Sequence, residues 1–317
     1  MISNNIKPSI ESHQVEEFLS SHFDEKISDV IPVGQGEWSQ AFSFHRATGG
    51  YIIRFAVSAE SFKKDSLAAK FSSPNLPIPR IYEIGQALGL YFAISRHVIG
   101  NMLDELDISK MSEIVPAVFT MLDSVRLVNL DHTDGYGEWN SQETAPYPSW
   151  REFLLDIEND HPASKIHGWR DSMTVSPVGG EPFDIALNYL KEHIHKCSED
   201  RHLVHTDLLH YNVLVSENHI SAVIDWGNSI YGDFLYDLAN FSFWSFWYPS
   251  MRGIDWAREA HYYYQTIGLD VPNLDERLRC YEVHIGLAGM AWNSFKKNWT
   301  ELKATTERTL NSMKQTT

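Results

Sequence analysis

The chain has only two cysteines, Cys197 and Cys280, among 317 residues. They stand far apart in sequence, so no disulfide framework is implied, and two reduced thiols in a cytoplasmic protein are expected. No run approaches the roughly 18 apolar residues that suggest a membrane span. Met1 to His13 carries no basic segment followed by an apolar stretch, so it does not read as a signal peptide. Basic residues are scarce: 26 Lys and Arg stand against 42 Asp and Glu, a formal charge of -16. Phosphate repulsion then disfavours nucleic acid as a partner, and a cationic small molecule is favoured. Neither a membrane nor a nucleic-acid partner is expected.

Nor is there an internal repeat or a low-complexity tract. The composition is that of a globular protein, 43% hydrophobic and 21% charged. Its length is enough for two lobes, each with a core of its own. Ile10, Val15, Phe18 and Leu19 recur at helical spacing within Ser9 to Ser21. Ile31 to Phe44 reads as two short strands around a glycine turn at Gly34 and Gly36, and Tyr51 to Val57 as a third after Gly49 and Gly50. A helix over Phe62 to Phe71 must end before Pro74, and Ile81 to Ile84 and Leu90 to Ser95 supply two more strands. After Gly100 the texture turns to long amphipathic helices such as Met111 to Val128 and Phe183 to Cys197, with a loop-like stretch from Gly135 to Trp150. A small β hairpin follows at Val213 to Val215 and Ala222 to Ile224, and helices fill the rest. The expected class is α+β with a protein-kinase-like bilobal fold: an antiparallel β lobe at 1–98 and a mainly helical lobe at 99–317.

The strongest chemical signal is the segment His205, Thr206, Asp207 to Asn212, followed by Asp225 at the far end of the hairpin. Phosphoryl transfer needs a carboxylate beside the acceptor hydroxyl, and carboxylate or amide oxygens to hold magnesium. An Asp and an Asn five apart occur by chance as a surface loop. The hairpin that delivers a second Asp is what raises the pattern above chance.

These segments, with Tyr231 to Asp233 and Tyr236 to Ala239, resemble the kinase-like aminoglycoside phosphotransferase family. Gln40 to Phe44, Leu76 to Pro79, Arg201 to His205 and Ala222 to Trp226 carry the likeness towards its hygromycin B phosphotransferase branch, as do Ala239 and Asn240 leading to Phe243, Trp244 and Trp247. The resemblance implies ATP as donor, with GTP as the alternative, and Mg2+ as cofactor. It makes Asp207 the catalytic carboxylate and Asn212 and Asp225 the metal ligands. His205 would brace the loop, and Asp233 and Asp237 would brace it or cap helices.

On the donor side, Gly34 to Ser39 takes the place of the phosphate-covering hairpin, with Ser39 donating to a phosphate. Arg54 stands where a Lys is usual and neutralises phosphate bidentately. Asp65 is the acid that would hold it, a longer cation matched to a shorter acid. Ser95, Arg96 and Val98 lie in the interlobe segment that offers backbone groups to a purine edge. On the acceptor side, Trp244 and Trp247 would pack flat rings against sugar faces, with Glu138, Glu143 and Asp233 available to a polycation. Tyr211 departs from the branch, which carries a small amide residue there, and so reshapes the pocket floor.

The expected activity is phosphorylation of hygromycin B or a related aminoglycoside, conferring antibiotic resistance. A metabolic kinase acting on choline, homoserine or a sugar shares this apparatus and stands as the alternative. A nucleotide-binding module without catalysis is countered by the presence of Asp207, Asn212 and Asp225 together. A protein kinase is disfavoured because no long activation segment fits between Asp225 and Asp237.

Overall fold

The computed structural model describes residues 9–36 and 39–314. Most of the segment read for a signal peptide, and Glu37 and Trp38 of the glycine turn, lie outside the described residues. The chain divides into two compact units: residues 1–103 with 212–228, and residues 104–211 with 229–317.

The first unit is built on a five-stranded antiparallel sheet, β1 (Ser28–Gln35), β2 (Ser39–Arg46), β3 (Gly49–Ala56), β4 (Ile81–Ala87) and β5 (Leu90–Arg96), in the order β1-β2-β3-β5-β4. Aromatic and β-branched residues make these strands, and their two-residue period sends alternate side chains inward. Phe42, Phe44, Ile53 and Phe55 are wholly buried on one face. Helix α1 (Ser12–Phe23) covers them with Val15 and Leu19, one helical turn apart. Its start is fixed by a capping box between Glu11 and Gln14. Gly49, at φ 119°, makes the β2–β3 turn in a backbone region that other residues rarely enter. Helix α2 (Glu60–Ala68) follows β3 and continues as one 3-10 turn to Phe71, so the chain is out of helical geometry before Pro74. β6 (Asn101–Met102) pairs with Val213–Ser216, which pairs with His219–Val223, placing the second hairpin in this unit.

The second unit is helical: α3 (Ile108–Arg126), α4 (Trp150–Leu155), α5 (Trp169–Thr174), α6 (Glu181–His193), α7 (Leu235–Trp244), α8 (Trp256–Thr266), α9 (Leu274–Lys296) and α10 (Trp299–Ser312). A small three-stranded sheet of Gly137–Glu138, Ile230–Gly232 and His202–Val204 joins them. Helix α9 is the spine, buried on nearly every side. Gly286 lets α10 approach it, since a Cβ there would stand 2.1 Å from the Thr309 hydroxyl oxygen. Trp150 is fully buried among Tyr236, Tyr281 and Phe153, and its Nε1 donates to the Tyr281 hydroxyl at 3.2 Å. Cys197 and Cys280 are both free and buried. A hydrogen bond between their thiols, together with burial, pushes the Cys197 thiol well up. No helix among the described residues is long and apolar enough to cross a membrane.

His284 lies on α9, buried at 4% exposure, with Nδ1 at 2.8 Å from the Tyr236 hydroxyl. Burial pushes its imidazole down to about 3. The unfolded chain takes up this proton near an ordinary value of about 6.5, well before the folded one does. Stability from His284 is therefore complete above about pH 6.5 and declines as pH falls from there towards 3, by at most about 1.4 kcal/mol per pH unit. The pH slope of denaturant stability between about pH 7 and pH 5 should flatten in His284→Gln. An unchanged slope would show that this imidazole titrates in the folded protein as it does in the unfolded chain.

Candidate active site

In the first unit, Arg54 projects from β3 and forms an ion pair with Asp65 of α2. Both are largely buried, with 18% and 5% of their side chains exposed. The other carboxylate oxygen of Asp65, Oδ1, accepts from the Trp226 backbone N–H at 2.7 Å. One short acid thus fixes a cation and the segment just after Asp225. Burial alone would lower the Arg54 pKa, but the charges of Asp65 and Asp225 outweigh it and raise the guanidinium above its usual range. The structure accordingly brings Arg54, Asp65 and Asp225 together. Asp225 takes a left-handed φ of 61°. Asn212 is 7% exposed, and its carbonyl accepts from the Ile224 N–H at 2.9 Å, tying the two ends of the hairpin.

Ser39 opens β2, and its carbonyl closes the glycine turn by accepting from Gly36 N–H at 3.0 Å. Ser95 and Arg96 end β5, and Val98 lies beyond the last strand residue. The Arg96 side chain turns to the β2–β3 turn, donating to the Thr48 carbonyl at 3.0 Å and lying over the Tyr51 ring. His97 N–H is taken by the Gly50 carbonyl.

In the second unit, Asp207 sits on a loop whose backbone is clamped by Asp237 of α7. The two carboxylate oxygens of Asp237 accept from His205 N–H at 2.8 Å and Thr206 N–H at 2.7 Å. Burial pushes the Asp237 carboxyl up, while His205 and these two N–H donors oppose that shift. His205 is fully buried, and its Nδ1 accepts from Asp207 N–H at 3.2 Å, which is the bracing part expected of it. Asp233 accepts from the N–H of Leu235, the first residue of α7, at 3.1 Å and binds Arg277 with two hydrogen bonds of 2.8 and 2.6 Å.

The residues expected on the acceptor side also lie in this unit. Tyr211 is 55% exposed at φ 68°, its N–H held by Asp104 Oδ2 at 3.1 Å. Trp244 and Trp247, half-buried, have ring centroids 5.1 Å apart, and Trp247 Nε1 donates to Glu301. His210, which sequence reasoning passed over, contacts Asp207 with Nδ1 at 2.8 Å from Oδ1. That hydrogen bond raises the imidazole pKa against the effect of burial. Asp104 was passed over too. It lies 107 residues from Tyr211 in sequence, and no spacing rule connects them.

A β sheet with a buried cation and acid, followed by a clamped Asp loop and a hairpin ending in Asp, defines a kinase-like phosphotransferase of the α+β class. The chain belongs to the phosphotransferase enzyme family, whose model matches residues 30–271. It is 33% identical to hygromycin-B 4-O-kinase of Escherichia coli over 287 residues, covering 89% of this chain and 79% of that one. The crystal structure of aminoglycoside phosphotransferase APH(4)-Ia matches with a TM-score of 0.83 at 30% identity, covering 96% of this chain and 98% of that one. A thermostable mutant of that enzyme, in ternary complex with AMP-PNP and hygromycin B, matches at 0.82 and 30% identity, over 95% and 98% of the two chains. Spectinomycin phosphotransferase APH(9)-Ia shares the fold at 14% identity and a TM-score of 0.61, over 96% and 99%.

Replacing Asp65 by Ala would leave the Arg54 guanidinium buried without its acid and the Trp226 N–H without its acceptor. We expect a loss of about 3–5 kcal/mol in denaturant stability. Asp65→Asn, which retains an acceptor for Trp226, should lose less. Equal losses in the two variants would mean that the Trp226 bond contributes nothing.

Proposed function

We propose that this chain transfers the γ-phosphoryl group of ATP to a hydroxyl of hygromycin B or a related aminoglycoside. One observation carries the reading. The Asp207 loop, clamped by a buried carboxylate, stands in a chain that resembles hygromycin-B 4-O-kinase along nearly its whole length. In this reading Asp207 orients the acceptor hydroxyl and takes its proton as the new O–P bond forms and the bond to the leaving ADP breaks. Arg54, held by Asp65, carries a fixed positive charge toward the phosphates. Ser39 and the backbone of Ser95, Arg96 and Val98 serve the nucleotide.

Asn212 and Asp225 supply an amide oxygen and a carboxylate, hard donors of the kind that magnesium takes alongside phosphate oxygens. When bound, the ion would neutralise charge on the triphosphate. Trp244, Trp247 and Tyr211 offer rings to the sugar faces, and the charge of -16 suits a polycationic acceptor. Residues 1–98 form the nucleotide-binding part and 99–317 the catalytic and substrate-binding part, in a cytoplasmic resistance enzyme. One transferred phosphate adds roughly -1.5 to -2 charges to the antibiotic, enough to oppose its docking on ribosomal RNA.

Nucleotide turnover by the purified chain should rise on adding hygromycin B and stay at background with choline or homoserine. Stimulation by those metabolites alone would place the chain among metabolic kinases. Asp207→Asn should lower kcat about 10²–10⁴-fold with nucleotide affinity nearly intact. Asp225→Asn should instead weaken magnesium-dependent nucleotide binding in a titration. If metal dependence were unaltered, Asp225 would not be a ligand.

A further inference from the structure

The geometry points to His210 as a positioning residue that fixes the carboxylate of Asp207 for the acceptor hydroxyl. This rests on the catalytic reading of Asp207 given above and extends it to a residue three positions on.

Three observations support it. Nδ1 of His210 lies 2.8 Å from Asp207 Oδ1, a distance that fixes the carboxylate about its side-chain torsions. The imidazole, its side chain 55% exposed, is flanked on its protein side by the Trp244 ring at 6.2 Å and the Tyr248 ring at 6.4 Å, both edge-on at 71° and 70°. The backbone that follows it is tied to a second segment of the chain. Asp104 Oδ2 accepts from the next N–H, that of Tyr211, at 3.1 Å.

His210 and Tyr211 are consecutive non-glycine residues in left-handed geometry, at φ 64° and 68°. That conformation costs of order 1 kcal/mol or more per residue and persists only where surroundings over-determine it. Here it turns the His210 ring back onto Asp207. An extended path through the loop would carry the ring away from Asp207.

The consequence is kinetic. A carboxylate that must accept a proton from one hydroxyl loses rate when it is free to rotate, and a misplacement of about 1 Å costs as much as 10²-fold. The same ring carries the alignment between Trp244, proposed for the sugar face, and the carboxylate. His210 therefore couples acceptor binding to the orientation of Asp207.

The test compares two variants at saturating hygromycin B. His210→Phe keeps an aromatic ring between Trp244 and Tyr248 and removes the donor. His210→Asn keeps a nitrogen donor near the position of Nδ1 and removes the ring. We expect kcat to fall about 10–100-fold in His210→Phe, with the KM for ATP changed less than about twofold, and to recover most of that loss in His210→Asn. Nucleotide titration confirms that each variant is folded. Wild-type kcat in His210→Phe, or a loss confined to KM, would overturn the inference. Asp207→Asn measured beside them separates the two claims. If it is inactive while His210→Phe is unimpaired, only the role of His210 falls; if it retains the wild-type rate, the catalytic reading of Asp207 itself falls.

Discussion

The second unit depends on one buried carboxylate receiving two backbone N–H groups. Asp237 is 2% exposed, and its two oxygens are spent on His205 and Thr206, the residues immediately before Asp207. Burying a carboxylate costs several kcal/mol unless donors replace the lost water. Two backbone N–H groups and a nearby histidine do so here. They also convert a flexible loop into a fixed one, because neither N–H can rotate away without stranding the other oxygen. The rigidity of α7 is thereby passed to the loop that carries Asp207.

Such anchoring is needed because the chemical segments are bent out of ordinary geometry. Thr206, His210, Tyr211 and Asp225 all have φ between 61° and 69°. L-residues avoid that region, so each must be held by something other than local preference. Asp237 holds the first of them, Asp104 the N–H of Tyr211, and Asp65 the N–H of Trp226 next to Asp225. Three acidic side chains from outside the loops do this work, two in the second unit and one in the first.

That arrangement explains what the sequence revealed and what it hid. The strands of the first unit were legible because Phe42, Phe44, Ile53 and Phe55 alternate at the period of a sheet. Helix α1 was legible from Val15 and Leu19. The Asp207, Asn212 and Asp225 pattern and the exchange of Lys for Arg54 were readable as spacing and residue type, since both are local. The pairing of Arg54 with Asp65, 11 residues apart, was implied by the kinase-like resemblance, in which a helix acid holds the strand cation. Asp104 could not be seen, because its contact with Tyr211 is made by folding alone. His210 could have been: a His three residues after an Asp reaches back to it when the intervening chain turns. The left-handed φ values that make the turn are not encoded by any glycine there. The grouping of hairpin 212–228 with β6 was invisible for the same reason as Asp104.

The Arg54–Asp65 pair shows why the substitution of residue types is consistent rather than accidental. A lysine needs a partner with reach, since its charge is a single point. Arginine spreads its charge over a planar fork and can meet a short carboxylate from α2 while staying charged at every physiological pH. With Asp in place of a longer acid, the second oxygen remains close to the α2 backbone and so meets the Trp226 N–H at 2.7 Å. A longer side chain would carry that oxygen past it. The same exchange that keeps the cation in place therefore also fixes the end of the hairpin bearing Asp225. Because Asp225 in turn raises the Arg54 guanidinium, charge and backbone geometry in this unit are set by one carboxylate.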